Sequence, residues 1–418
     1  TAPAPNGNDA FVAALQTPAE KRTEAQAKLV TEAFEKADPG KTAAKQKRAA
    51  NPNVAELMIM KDVATPRPTY IFLRGDYLRP DEKTGPLTPG VLSAVNAAFH
   101  DPPSQFHNRL DLARWLVSPE NPLTPRVTMN RVWMHYFGRG LVETDDDFGA
   151  QGSFPSHPEL LDWLGREFMR RGWSMKAMHR LMVTSATYRQ ASKARPDAAE
   201  KDPRNILLAR QERIRFDAEI IRDAALSASG LLDETIGGPS VRPPQPEGVY
   251  AFTQSAKKWT ADTGPNRFRR ALYTLFYRSA PHPLFTAFDA PNFQTTCTRR
   301  PRSDTPLQAL TLANDQAFFE MAQGLAARAV CEEPKGDVSD HISRAFSLCL
   351  CREPSAKELS ILRGYYDEQV ASFAGDQAAA KALVPPALSK IEERPEAAAA
   401  LVCVARAIMN TDAFITRE

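Results

Sequence analysis

The densest group of side chains able to do chemistry lies between Asn130 and His157. Arg131 and His135 are four residues apart, so on a helix they share one face. Phe137-Gly138-Arg139-Gly140 then leads out of that helix into Glu143, Asp145, Asp146, Asp147 and Gly149. His157 stands just before Pro158, at an expected helix start. The positive end of the helix dipole favours a neutral imidazole there, which could act as a base or a ligand. Asn130, Arg131, Asp147 and His157 are therefore the candidate catalytic residues. The same residues also fit structural roles: Asp147 capping a turn, His157 capping the helix, Arg131 neutralising an acid that burial would otherwise penalise. The acidic run resembles half of a calcium loop but lacks the D-x-D-x-D-G order and the final Glu, so no metal is assigned.

A second group is basic and aromatic. Arg267, Arg269, Arg270, Tyr273, Tyr277 and Arg278 are followed by Asp289, Arg299, Arg300, Arg302 and Asp304. Guanidinium forks hold carboxylate, sulfate or phosphate in two parallel hydrogen bonds. Neighbouring rings permit stacking on sugars or cation–π contacts. Arg270, Arg278, Tyr273, Asp289 and Arg300 are accordingly the candidate substrate-binding residues. An anionic glycan fits this chemistry. So does an acidic protein partner, or a set of internal Arg–Asp pairs that hold loops together.

Composition limits the remaining choices. The 418 residues carry 53 Lys+Arg and 50 Asp+Glu, a net charge of +3, with 43% apolar residues. Such a chain folds, and its charge is too small and too spread to argue for nucleic-acid binding. No run approaches the roughly 20 apolar residues of a membrane span. The chain starts at Thr1 with no apolar targeting run, which predicts a processed or truncated product. Cys297, Cys331, Cys349, Cys351 and Cys403 contain no C-x-x-C-H, so the chain cannot attach a c-type haem by the usual route. They are expected to be small buried apolar side chains. No H-E-x-x-H, G-x-S-x-G, P-loop or strand-borne G-x-G-x-x-G occurs, which removes zinc-hydrolase, serine-hydrolase, kinase and NAD readings.

The elements that must position these groups are mostly helical. Residues 1–50 read as a Pro/Ala linker followed by one or two solvent-facing helices. Residues 51–104 read as an extended Pro-rich segment with a short strand at Tyr70–Leu73, which its flanking prolines confine to an edge or an isolated pairing. From 105 to 418 helical spacing dominates, with subdivisions near 193–204 and 237–266. Helices are expected to open at Thr124-Pro125, at Pro158, after Ser174, at about 212, at Thr305-Pro306 and at the capping box Ser355–Glu358. The stretch 237–266 is too rich in Pro and Gly for a helix and too long for an ordinary connection, which predicts a functional or wrapping loop. The fold class is mainly α: a multi-helix globular domain with long irregular loops and minor short strands.

The stretch NPLTPRVTMNRVWMHYFGRGLVETDDDFGAQGSFPSHPELLDWLGREF resembles the planctomycete-specific domain of unknown function found C-terminal in large cytochrome-c-associated proteins. RFDAEIIRDAALSASGLLDETIGGPSV, then the block from RRALYTLFYRSAPHPLFTAFDAPNF to DTPLQALTLANDQAF, and the closing LVCVARAIMNTDAFI extend the resemblance over roughly residues 55–418. The resemblance implies an extracytoplasmic, periplasmic or cell-surface setting, carbohydrate metabolism, and a c-type haem on an N-terminal module or partner chain. It supplies no agreed catalytic residues.

Three readings remain open. The chain is the substrate-binding half of a haem-linked oxidoreductase, taking a carbohydrate-like or small organic substrate and passing electrons to a partner haem. Alternatively it is a non-catalytic helical scaffold that docks a cytochrome or cell-surface partner. The third reading is a module for anionic polysaccharide. Whether Asn130, Asp147, His157, Arg270 and Asp289 meet in space bears directly on the choice.

Overall fold

A computed structural model describes residues 7–37, 58–63, 65, 67–101, 106–251, 258–390, 392 and 394–417. The Pro/Ala stretch at 1–6, residues 51–57, Pro102 and Pro103, and 252–257 of the long loop lie outside the described residues. The fold is mainly α, with one two-stranded ribbon among the described residues. Contacts divide the described chain into two units, one running to Ile59 with Ile236–Ser240, the other comprising Met60–Thr235 and Val241–Glu418. In the first, α1 (Gly7–Gln16) and α2 (Glu24–Ala37) are joined by a turn that Arg22 ties down, its Nε donating to the carbonyls of Ala14 and Thr17 at 3.0 Å each. No described helix is long and apolar enough to cross a membrane.

The second unit begins with a compact hairpin instead of a full strand. Only Phe72 and Pro80 form a bridge, because Leu73–Gly75 turns back as a 3-10 helix with Arg74 at φ 55°. After the short α3 (Ser93–Asn96), α4 (Arg109–Leu116) is capped by Asn108, whose side chain accepts from the amides of Leu110 and Asp111. Its Trp115 packs with Phe99 and Phe106 as a small apolar cluster.

Two larger cores follow. Helices α5 (Thr124–Phe137), α6 (Pro158–Arg170) and α7 (Met175–Val183) pack Met129, Trp133, Phe137, Leu161, Leu164, Phe168, Met178 and Met182 together. Each boundary has a local cause. Pro125 sits in the first turn of α5, Gly138 ends it in the left-handed region at φ 79°, and Ser174 caps α7 by accepting from Ala177 N. The connection after it contains one further helix, α8 (Pro196–Lys201).

The larger core is built from α9 (Ala218–Ala228), α10 (Pro283–Ala287), α11 (Pro306–Asn314), α12 (Gln316–Glu332), α13 (Val338–Leu350) and α14 (Ala356–Ala374). Two short helices, α15 (Gln377–Leu383) and α16 (Pro386–Ser389), precede α17 (Pro395–Met409). Helix α17 is covered nearly all round, with Ala397, Ala398, Ala399, Ala400 and Val402 fully buried. Its run of alanines lets neighbouring helices approach closely, and a helix apolar on every side belongs in an interior. The expected helix from about 212 starts only at Ala218. Ile214–Arg215 (β1) pairs antiparallel with Thr416–Arg417 (β2), which follows α18 (Asp412–Ile415), and Asp217 takes the N-cap position. The cysteines also differ from expectation: Cys297, Cys331 and Cys351 are exposed, all five are free thiols, and burial pushes the Cys349 thiol up to about 12.

The long loop is stitched down by backbone and aromatic contacts. Val241 N donates to Tyr273 O and Leu275 N to Val241 O, both at 2.8 Å. Trp259 Nε1 donates to Pro243 O at 2.8 Å, and its ring meets Tyr250, Tyr277 and His282. Beneath it Arg222, 2% exposed, donates to the carbonyls of Arg269 (2.7 Å) and Arg267 (3.1 Å), with its pKa pushed down to about 10 by burial.

His282 is buried under this loop and donates Nε2–H to the Pro244 carbonyl at 3.1 Å. Burial outweighs that contact and pushes its pKa down to about 4. The unfolded chain therefore binds a proton more readily than the folded one between the ordinary histidine value and 4. The stability this neutral imidazole contributes is complete above about pH 6.5 and is lost as pH falls toward 4, by about 3 kcal/mol in all. Denaturant unfolding at pH 7 and pH 4 should show His282→Gln losing that much less than the parent on acidification. Equal acid sensitivity in the two would contradict the assignment.

Candidate functional site

The sequence-predicted residues do not gather in one place. Asn130 is fully buried and serves as a latch: its Oδ1 accepts from Val142 N at 2.9 Å and its Nδ2 donates to Val142 O at 3.0 Å. Gly140 is required beneath it, since a Cβ there would lie 2.4 Å from Val142 O. Asp147 caps its own turn, accepting from Gly149 N at 2.7 Å, and the His157 ring meets the Ser156 hydroxyl at 3.0 Å without capping α6. Arg270 pairs with Asp223 at 3.4 Å. Tyr273 carries the guanidinium of Arg269 over its ring at 3.8 Å, and Arg278 is exposed. Asp289 accepts from Arg215 at 2.5 Å and from Ser303 N and Oγ at 2.8 Å. Arg300 forks onto Glu219 at 2.6 and 3.2 Å.

Arg131 and Arg300 nevertheless each line one of three neighbouring clefts. The first, about 470 Å³, runs from Gly138 and Phe154 to Arg204, Arg213 and Asp412. The second, about 550 Å³, is lined by Arg131, His135, His179, Arg215, Asp217 and Arg417, among others. The third, about 380 Å³, holds His135, Asp217, Cys297, Arg299 and Arg300. Arg302 lines all three. Clefts of this size are the usual seats of small ligands.

The supporting elements follow from the local sequence. Thr128, Arg131 and His135 recur at helical spacing on the face of α5 opposite its buried Met129, Trp133 and Phe137. The β1–β2 ribbon brings Arg215 and Arg417 alongside, and Arg417 donates to the Tyr136 carbonyl. Asp217 follows as the N-cap of α9. Opposite them Asp289, in the left-handed region at φ 61°, holds Ser303 and so places the adjoining Arg302 over the cleft.

The electrostatics are lopsided. The second cleft contains four guanidinium groups, Arg131, Arg215, Arg302 and Arg417, and one carboxylate, Asp217. Arg215 is neutralised by Asp289, and Arg300 of the third cleft by Glu219 with Asp217 at 3.7 Å. Arg302 makes no hydrogen bond or close ion pair with any described residue. Burial lowers its pKa, and the charge of Asp217 counters this from a distance while Arg215, Arg417 and Arg300 add to it. His135 opens to solvent within the concavity. Its pKa is lowered chiefly by the surrounding protein, with Asp217 acting to raise it and Arg302, Arg300 and His179 acting to lower it. Tyr136 donates to or accepts from His179 Nδ1 at 2.9 Å, and burial raises the Tyr136 pKa. Among the described residues no group of three or more His, Cys, Asp and Glu is placed to hold a metal ion.

In the sequence the Arg131–His135 face and the arginine run 299–302 are separate features. Asp217, His179 and Arg417 come from other elements, and no motif in the sequence sets them apart. The triplet Arg299, Arg300, Arg302 was the available signal, since the Asp289 and Glu219 carboxylates cannot fully pair them all.

Burial sets the direction of the His135 shift, and the charges around it adjust it. Removing a neighbouring cation favours protonation, so Arg302→Ala should raise the His135 pKa, and Asp217→Asn should lower it further. Histidine ring signals followed by NMR against pH would show this. A His135 that titrates above the ordinary range, or shifts the same way in both variants, would rule out the described arrangement.

No curated protein and no solved structure matches this chain. A model of the family described as a protein of unknown function (DUF1553) matches residues 108–366, which hold every cleft residue discussed above except those from β2 and α18. The match covers more than half of the chain, and the chain belongs to that family.

Proposed function

We propose that this chain binds an anionic, carbohydrate-like ligand in the cleft around Arg302. One observation carries the reading: a guanidinium without a close carboxylate stands at the meeting point of three clefts, beside other arginines. Gathering like charges costs free energy unless an anion offsets it. A carboxylate or sulfate accepts two parallel hydrogen bonds from such a fork. His135, held neutral near pH 7 by its depressed pKa, is suited to accept a proton from a ligand hydroxyl at the same place.

The resemblance to planctomycete-specific, cytochrome-c-associated proteins supports placing this binding step in an extracytoplasmic protein of carbohydrate metabolism, with electrons passed to a haem on a separate module. The cysteines of this chain do not fit covalent haem attachment, as no two have the C-x-x-C-H spacing and all five are free thiols. No electron-transfer step is therefore assigned to its own residues.

A docking role has its own supporting observation. The hairpin at 71–80 presents Ile71, Phe72, Tyr77 and Leu78 to solvent, the last two about three-quarters exposed. Such a patch fits a surface that meets a cytochrome-like module or cell-surface partner.

Calorimetry with a small uronic acid or a sulfated sugar tests the main reading. Loss of one charge-assisted fork should weaken binding by roughly 10- to 100-fold in Arg302→Ala. Arg270→Ala and Arg278→Ala, which lie outside the three clefts, should bind as the parent does. Affinity that depends on Arg270 or Arg278 and ignores Arg302 would overturn it.

A further inference from the structure

The first cleft differs from the second in a way that bears on ligand length. Its arginines other than Arg302 have carboxylate partners: Arg139 and Arg204 pair with Glu143, Arg213 with Asp412 and Arg215 with Asp289. It therefore offers paired polar groups, with no surplus cation apart from the shared Arg302. The two clefts share Ile214, Arg215 and Arg302 in their walls. At the rim of the first stands Phe154, 95% exposed.

An aromatic ring presented this fully is costly to keep in water, and its loop is well anchored. Ser153 N donates to Thr144 Oγ1 at 2.9 Å, Ser156 N to Leu141 O at 2.8 Å and Gly152 N to Gly149 O at 3.1 Å. Gly152 packs so closely that a Cβ would lie 2.1 Å from the Asp147 carbonyl. An exposed aromatic face on an anchored loop, beside paired polar groups, suits the C–H face of an uncharged sugar ring, while the hydroxyls reach Glu143, Glu212 or Asp412. Each cleft alone falls in the range of about 300–1,000 Å³ that houses a complete small ligand.

We infer that the ligand is an oligosaccharide of at least two rings, its anionic ring at Arg302 and the adjoining uncharged ring stacked on Phe154. This rests on the anion-binding reading above and adds a second subsite to it. The arginines bind the charge, and Phe154 selects for chain length.

The test is calorimetry of the full chain with a uronic acid monosaccharide and with di- and tetrasaccharides that carry the same uronic acid next to neutral rings. The oligosaccharides should bind more tightly than the monosaccharide. Phe154→Ala should remove roughly five- to tenfold of affinity for them, leave the monosaccharide unchanged, and be rescued by Phe154→Trp. Since Phe154 is exposed, these variants leave the cores untouched. Affinity independent of chain length and of Phe154, with Arg302→Ala still defective, overturns the second subsite and leaves anion binding standing. Failure of every saccharide to bind overturns both.

Discussion

The carboxylate of Asp289 is the contact on which the cleft depends. It receives Arg215 from the β1–β2 ribbon and both the amide and the hydroxyl of Ser303. One side chain thereby ties the loop after α10 to the ribbon before α9. Arg215 is only 9% exposed, so the pair sits where desolvation is substantial and geometry must be good for the charges to be tolerated. Gln308 adds a further brace by donating to the Ala287 carbonyl and to the Ser303 hydroxyl, both at 3.0 Å. With Arg215 taken by Asp289 and Arg300 taken by Glu219, the next guanidinium along the loop, Arg302, is left over. The open cation follows from where the closed ones are anchored.

That arrangement also explains why the site lies on a seam. The smaller core belongs to α5, α6 and α7, the larger to α9 through α18, and the ribbon runs between them. Ile214 lies against the end of α5, where its Cδ1 is 3.2 Å from the position a Gly138 Cβ would take. Phe216 N donates to Ile415 O at 2.8 Å on the other side. A helix surface cannot bury its polar stripe, so Thr128, Arg131 and His135 face the gap that the apolar faces leave. Packed helices stand on both sides, and the polar side chains between them are left without being fully buried.

Much of the fold was legible in local signals. Pro125, Gly138, Ser174, Thr305-Pro306 and Ser355–Glu358 mark helix ends because caps and turns act within a few residues of themselves. The start of α9 was not, because Ile214 and Arg215 have helical neighbours in sequence and are drawn into a ribbon by β2, some 200 residues later. The candidate site was legible by composition and not by membership. Arg270 and Arg300 have the right chemistry, yet which arginine keeps its charge open depends on Asp223, Glu219 and Asp289 finding partners across long sequence separations. Asn130 looked reactive and is a latch, since spacing alone cannot show that Val142 returns to meet both ends of its amide.

Arg302 also constrains His135. The charge of Arg302 disfavours protonation of His135, and that of Arg300 does the same. Burial and these arginines, which stay charged at physiological pH, together favour the neutral imidazole. An anion bound at Arg302 would reverse part of that field and make the imidazole a better proton acceptor. On the proposed reading, ligand binding and base strength would be coupled with a definite sign: His135 would be a stronger base with the anion bound than without it. A ligand hydroxyl that lost its proton to His135 would leave an imidazolium that the charge of Asp217, the second cleft's lone carboxylate, favours.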